Sequence, residues 1–434
     1  METGLVETLR EAEVLLKRLD NLEKFNRKYS VRPTRESVSL VESMQVLSDS
    51  IPEIGTPTSH EELIQTELKR RIHGEASFLE QQLSGRPYEF GTVINILGIP
   101  EEDLASLRPW LEANKTKTQE SIERLFHSRD LEGYELAVSS DIPNVRMQVE
   151  AFSDVHIQRY HKTIGKFLES LTSIGKFLRD INAVPTTNDR SYFNQLTNNL
   201  AISVPKICFS KEDGTHHINE KELIMIYGHE GMGHALNFVV TRSANMPYFL
   251  TQLSTLNVAT AESVAQFYEN QLLEDLKNSR ATQKKLGIES IFDEIYQETK
   301  DTNQLDEYQK KMIYYAICVL GDKSLGDYNN PETLKNKIEI INQVAIDKGG
   351  LANWMQQKRY SFDSEGNLEA GLVSELRYCA NPVTRAIEEF KRCGINYVGD
   401  GRTLMDTTML RGLWTPIGFV DNARLQAMSH AAQR

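Results

Sequence analysis

Apolar residues recur with the spacing of an α-helix along most of this chain. Between residues 5 and 28 they form one stripe among Glu, Lys and Arg, which is typical of a helix with one buried face. This pattern predicts a mainly helical fold. The same spacing predicts further helices over 59–83, 101–114, 147–182, 219–242, 255–278, 289–299, 305–320, 331–348 and 368–393.

One stretch interrupts this helical pattern. Residues 200–204 and 207–209 have the composition of β-strands, and residues 212–215 are typical of a turn. Pro205 lies between the two strand segments, and proline within a strand indicates an edge position. We therefore expect a small β-hairpin or sheet over 200–218, just before the helix that begins near residue 219.

The turn-rich segment 183–190 is the best candidate for a boundary within the chain. It divides an N-terminal helical half, residues 1–185, from a second half, residues 186–434, that carries the histidine motif described below. No low-complexity linker separates the halves, so we expect one continuous structural unit. The tail after Gly394 reads as loop-rich.

Composition limits the class of protein. The 434 residues include 49 Lys and Arg against 61 Asp and Glu, a net charge of −12, which argues against a nucleic-acid partner. The sequence contains no apolar run long enough to cross a membrane and begins without a signal-peptide core. Four widely spaced cysteines without a C-x-x-C pair fit reduced thiols. We expect a cytoplasmic protein, and a homodimer stays open.

The most informative motif is Gly228-His229-Glu230-Gly231-Met232-Gly233-His234. In the His-Glu-x-x-His pattern of zinc hydrolases, histidines four apart reach one ion, and the Glu acts as base for the bound water. Here His229 and His234 are five apart, about 140° around a regular helix. A π-bulge would bring them to one face, and Gly231 and Gly233 make a distorted turn less costly.

A third metal ligand is predicted on the following helix. Glu262 lies 28 residues after His234, and a Glu there would complete a His₂Glu catalytic site with one open position. Glu269, two turns further along the same helix face, could accept a hydrogen bond from a ligand imidazole. Each residue alone could equally belong to a solvated helix face or a packed core, and the combination favours the metal site.

These two segments resemble known zinc peptidases. Residues 229–234 are similar to the His-Glu-x-x-Gly-His motif of dipeptidyl peptidase III. Residues 262–270, Glu-Ser-Val-Ala-Gln-Phe-Tyr-Glu-Asn, resemble the third-ligand helix of the thimet oligopeptidase and carboxypeptidase Taq families. All are gluzincins. The resemblance implies two helical halves around a cleft, with a small sheet before the active helix whose edge strand binds the substrate backbone.

The resemblance lies mainly in residues 200–275 and departs from each family. The Glu-Glu ligand pair of dipeptidyl peptidase III is absent, whereas the other two families keep an uninterrupted His-Glu-x-x-His. The chain thus resembles a divergent helical gluzincin with one inserted residue. No substrate can be carried over from one of these families.

A later segment, residues 375–382, resembles the Arg-Tyr…Pro segment found late in some helical gluzincins. The resemblance implies that Tyr378 donates to the oxyanion and that Arg377 holds a substrate carboxylate. Tyr360, Arg385 and Tyr397 are weaker candidates for these roles. An ordinary Arg-Tyr pair in a packed helix is the alternative.

The sequence therefore predicts a zinc-dependent metallopeptidase that hydrolyses peptide or related amide bonds in short peptides. His229, His234 and Glu262 would bind one Zn²⁺ per chain, or another divalent ion, and Glu230 would activate the bound water. Three alternatives stay open. The chain could be a metal enzyme acting on a non-peptide small molecule, a protein with a degenerate or structural metal site, or a helical interaction module without metal.

Overall fold

The computed structural model describes residues 3–25, 33–99, 101–127, 135–136, 143–210, 215–327, 330–346, 367–368, 370–376 and 380–433. Within these ranges the fold is mainly helical with two small sheets, which confirms the predicted fold class. The described part of the chain contains no helix long and apolar enough to cross a membrane.

The α-helices are numbered in chain order. They are α1 Thr3–Phe25, α2 Arg35–Ser50, α3 His60–Ser84, α4 Phe90–Leu97, α5 Glu101–His127, α6 Pro143–Leu171, α7 Val204–Ile207, α8 Glu220–Ile226, α9 Asn237–Ser243, α10 Val258–Lys277, α11 Arg280–Leu286, α12 Phe292–Gly321, α13 Pro331–Val344, α14 Ala370–Leu376, α15 Pro382–Arg392, α16 Asp400–Met409 and α17 Pro416–Ala432. A π-helix, Tyr227–Leu236, joins α8 to α9. Short 3₁₀-helices cover Gly175–Asp180, Tyr248–Leu250 and Lys323–Leu325.

The strands form two three-stranded sheets. β1 Glu135–Leu136, β5 Cys208–Ser210 and β6 His216–Ile218 form an antiparallel sheet in the order β1-β5-β6. In the other sheet, β4 Asn199–Ser203 lies between β2 Asn182–Thr186, which runs parallel to it, and β3 Tyr192–Asn194, which runs antiparallel. β3 is one of the two edge strands of this second sheet, and it contacts the π-helix.

The sheets lie just before the motif helix, as expected, but their pairing differs from the predicted hairpin. The segment 200–204 contributes to β4 and the segment 207–209 to β5, and these strands belong to different sheets. β4 is a central strand, so the edge position inferred from Pro205 is wrong. Pro205 instead lies at the start of the short helix α7, where its missing N–H would have no helical partner.

The tail after Gly394 is helical, so the expected loop-rich tail is also wrong. Gly399, Gly412 and Pro416 mark the turns before α16 and α17 but do not interrupt either helix. Thr415 caps α17 by accepting a hydrogen bond from the Gly418 amide. Both helices bury apolar residues such as Met409 and Phe419. Tertiary packing therefore stabilises these helices although their sequences show only a weak helical pattern.

Buried apolar side chains form two clusters among the described residues. The larger combines helices from the start of the chain with the sheet around β4, the motif helix, α10 and the last three helices. The smaller joins α4, α5, α12, α13 and α14. The division of the chain at residue 185 stays a prediction.

Candidate metal centre

The two motif histidines lie on the π-helix Tyr227–Leu236. A π-helix bonds each N–H to the carbonyl five residues back, so residues five apart lie on the same side of the helix. The rings of His229 and His234 are accordingly neighbours in an edge-to-face arrangement, with centroids 5.1 Å apart and planes at 80°. The helical distortion expected from the spacing is therefore present, and it spans ten residues.

Two glycines bring the π-helix against α10. A Cβ atom on Gly233 would lie 2.2 Å from the Cα of Ala265, and one on Gly228 would lie 2.5 Å from the Cα of Glu269. Both positions exclude any side chain. Gly231 differs, because a Cβ there would make only ordinary contacts of 3.5 Å with the side chains of Leu200 and Tyr227. Close helix packing, rather than backbone freedom alone, thus explains the glycine at 233.

Glu262 on α10 faces both histidines. Its Oε2 lies 3.4 Å from Nε2 of His229, and its Oε1 lies 3.6 Å from Nε2 of His234. Zinc bonds of about 2.0–2.1 Å at tetrahedral angles place ligand atoms about 3.4 Å apart. Each of the two distances is therefore close to the spacing of two ligands on one zinc ion, and the two distances end on different oxygens of Glu262.

Glu230 is a second carboxylate close to this pair. Potential ligand atoms of His229, Glu230 and His234 lie within 4.8 Å of one another, a grouping that omits Glu262. Each oxygen of Glu262 faces one imidazole Nε2, and its role as the third ligand stays a prediction. The carboxylate of Glu230 instead accepts a hydrogen bond from the backbone N–H of Phe193 on β3, which directs it to the sheet side of the site.

Glu269 contacts His229 from the other side of the ring. Its Oε2 lies 3.4 Å from Nδ1 of His229, and the residue is buried. An acceptor at Nδ1 leaves Nε2 available for a metal and fixes the orientation of the ring. The contact is the one that the predicted role of Glu269 requires, and the role itself stays a prediction.

The cluster is rich in negative charge. Burial opposes protonation of His229, but hydrogen bonds to Glu262 and Glu269 outweigh it and raise the His229 pKa. Burial lowers the pKa of His234 to about 4 and raises that of Glu230 to about 7. Three carboxylates thus surround two imidazoles, and a divalent cation would compensate this excess.

Two clefts meet at this cluster. The strand-side cleft, about 250 Å³ in volume, is lined by Glu230, His234 and Glu262 together with residues of β3 and the apolar side chains Phe238, Leu253 and Leu413. The helix-side cleft, about 390 Å³, lies between α10, α12 and α15 and is lined by polar residues that include Gln266, Asn303 and Lys310. Glu262 lines both clefts. A substrate could therefore extend to both sides of the cluster.

Larger cavities lie elsewhere. One of about 730 Å³ separates α6 from β2, and another of about 650 Å³ lies between α1 and residues 244–249. Neither is lined by a motif histidine or by Glu262. Volume alone therefore does not locate the site.

The remaining predicted residues fall outside the cluster. Arg377, Tyr378 and Tyr360 lie outside the described residues, so their predicted roles stay predictions. Arg385 donates a hydrogen bond to the carbonyl of Gly98. Tyr397 donates to Asp406, away from the histidines.

Sequence reasoning missed the residues that shape the strand-side cleft. Tyr192 and Gln195 line this cleft, and the backbone of Phe193 holds Glu230. The contact is made by the backbone N–H of Phe193, which does not depend on the residue type. The sequence therefore gave no indication of Phe193. Asn237 also lines the cleft, and its position three residues after His234 on the same helix was a usable signal.

Comparison with known proteins assigns neither a family nor a function to this chain. The chain matches no protein-family model, no curated protein and no solved structure. The function must therefore be argued from the site itself.

Proposed function

We propose that this protein is a zinc-dependent metallopeptidase that acts on short peptides. One observation carries the proposal. Nε2 of His229 and Nε2 of His234 lie 3.4 and 3.6 Å from the two carboxylate oxygens of Glu262, and a second carboxylate, that of Glu230, lies beside them on the strand side. Two imidazoles and one carboxylate with an open fourth position form the ligand set of catalytic zinc sites.

The metal would be held by His229, His234 and Glu262. When bound, a zinc ion supplies a Lewis acid that polarises a substrate carbonyl and makes water more acidic. Glu269 keeps His229 oriented through Nδ1. Removing such an orienting group reduces metal affinity in comparable sites.

Glu230 is the proposed general base. It lines the strand-side cleft beside His234 and Glu262, and burial raises its pKa to about 7. A carboxylate with a pKa near the working pH can take a proton from an attacking water and pass it to a leaving amine. The N–H of Phe193 orients the carboxylate for this transfer.

The edge strand β3 supports a peptide substrate. β3 pairs with β4 on one side, and Tyr192 and Phe193 line the strand-side cleft on the other. An extended peptide can add to such an edge through backbone hydrogen bonds. Small cleft volumes favour short segments over folded proteins.

Metal analysis combined with a peptide digest tests this proposal. Purified protein reconstituted with zinc should hold about one ion per chain and cleave members of a mixed short-peptide library, with products identified by mass spectrometry. Glu230→Gln should retain zinc and lose at least about 100-fold in rate. Glu298→Gln, a half-buried glutamate on α12 that pairs with Lys221, is the matched control and should keep wild-type rates.

The outcomes separate the alternatives. Zinc binding without peptide cleavage, accompanied by turnover of a non-peptide amide, would indicate a small-molecule hydrolase. Equal rates for Glu230→Gln and wild type would refute the catalytic role of Glu230. A chain that binds no divalent metal would refute the proposal as a whole.

A further inference from the structure

The position of α10 determines the geometry of the cluster. Glu262 and Glu269 both lie on this helix and face the histidines. At Gly228 and Gly233 the π-helix presents no side chain to α10. At these two points no flexible side chain can compensate for a displacement of α10. A small rotation of α10 would therefore change the distances from Glu262 to both imidazoles.

α16 contacts two polar side chains of α10. The hydroxyl of Tyr268 donates to Oδ1 of Asp406 at 2.8 Å. Near the end of α10, the guanidinium of Arg402 donates to both oxygens of Asp275, at 2.8 and 2.6 Å. Asp406 and Arg402 lie four residues apart on α16, so one helix face contacts α10 at two points.

These contacts are buried. Tyr268 and Asp406 are each 1% exposed, and Arg402 is 9% exposed. Buried ionic groups add little net stability compared with apolar packing of the same volume, but they require a defined geometry to satisfy their charges. Two such contacts on one helix restrict its rotation more than apolar packing would.

We infer that α16 is a clamp on α10, and that Tyr268 and Asp406 are positioning residues for the metal ligand Glu262. The clamp sets the distance between Glu262 and the two histidines from a point that contacts neither the metal nor the substrate. This inference deepens the proposed function and rests on its metal site. It does not require that the substrate be a peptide.

The structure supplies a matched pair of variants. Tyr397 donates to the same Oδ1 of Asp406 as Tyr268 does, at 2.5 Å. Tyr397 lies in the loop before α16, whereas Tyr268 lies on α10. Tyr268→Phe and Tyr397→Phe each remove one hydroxyl that donates to the same buried carboxylate, but only the first variant removes a contact between α10 and α16. The Arg402–Asp275 ion pair stays in both variants.

The decisive measurement is the zinc dissociation constant, determined by competition with a fluorescent chelator, together with the thermal unfolding midpoint. We expect Tyr268→Phe and Asp406→Ala each to bind zinc about tenfold more weakly than wild type. Tyr397→Phe should lose comparable thermal stability and keep the wild-type affinity. The double variant Tyr268→Phe/Asp406→Ala should be no weaker than Asp406→Ala, because both changes break the same contact.

Other outcomes would overturn the inference. Unchanged zinc affinity in Tyr268→Phe, or equal weakening in Tyr397→Phe, would show that the network only stabilises the fold. If the wild-type chain binds no zinc, the proposed function fails separately, and hydrogen exchange over residues 258–277 decides the inference. Faster exchange there in Tyr268→Phe than in Tyr397→Phe would still support the clamp, and equal exchange would refute it.

Discussion

At the scale of single residues, the site depends on its polar side chains and also on two positions that carry no side chain. Gly228 and Gly233 allow two helix backbones to meet, and this contact brings Glu262 within reach of both histidines. The sequence motif identified the histidines and the glutamates because their chemistry is specific. It could not reveal which glycine is required, because that depends on the neighbouring helix.

Gly233→Ala and Gly231→Ala test this contact. A Cβ at 233 would lie 2.2 Å from the Cα of Ala265, so α10 must move. We expect a loss of about 3 kcal/mol in the free energy of unfolding and loss of zinc binding. Gly231→Ala meets only ordinary contacts and should stay within about 1 kcal/mol of wild type. Denaturant titrations and zinc analysis check both values, and a stable, zinc-binding Gly233→Ala would contradict the packing argument.

At the scale of elements, the distortion of the motif helix was predicted from the sequence, whereas the length of α12 was not. The five-residue histidine spacing predicted a distorted helix because only that geometry brings the rings together. The break predicted near residue 300 was wrong, since α12 runs unbroken from Phe292 to Gly321. Its polar middle looked like a loop, but Asp301 is buried against Ser121 and Arg124, and Asn303 bonds Asn270. Such partners are invisible in the sequence.

Deletion of Gly231 is the sharpest test of the π-helix. The deletion places the histidines four apart, and it does the same for Gly228 and Gly233. On a regular α-helix, residues four apart share a face at nearly the same rise as five residues of a π-helix. We expect the shortened chain to fold and to bind zinc within about tenfold of wild type. Loss of zinc from a folded deletion variant would show that the surroundings require the extra residue.

At the scale of the whole molecule, distant segments meet in shared cores. α3 near the start of the chain packs against α17 near its end, and the buried carboxylate of Glu67 accepts hydrogen bonds from the N–H and hydroxyl of Thr415. The mainly helical class was predictable from periodicity. The helical tail was not, because α17 depends on this remote capping contact rather than on a local amphipathic pattern.

Glu67 should also make stability depend on pH. Burial raises the pKa of Glu67 above its ordinary value of 4.5, so the folded chain binds this proton more tightly than the unfolded chain. Its contribution to stability is therefore full below pH 4.5 and is lost as the pH rises through the raised pKa. Unfolding free energies measured between pH 4.5 and 8 should fall more steeply for wild type than for Glu67→Gln. The exposed Glu80→Gln should follow wild type, and identical slopes for all three would contradict this role.

Both proposals rest on the binding of one metal ion by His229, His234 and Glu262. Anomalous diffraction at the zinc edge, from crystals of the zinc-loaded chain, shows whether an ion is bound there. We expect one strong peak about 2.0–2.2 Å from both Nε2 atoms and from a carboxylate oxygen of Glu262. A map without a peak at this cluster, or with its peak elsewhere in the chain, would contradict the claim.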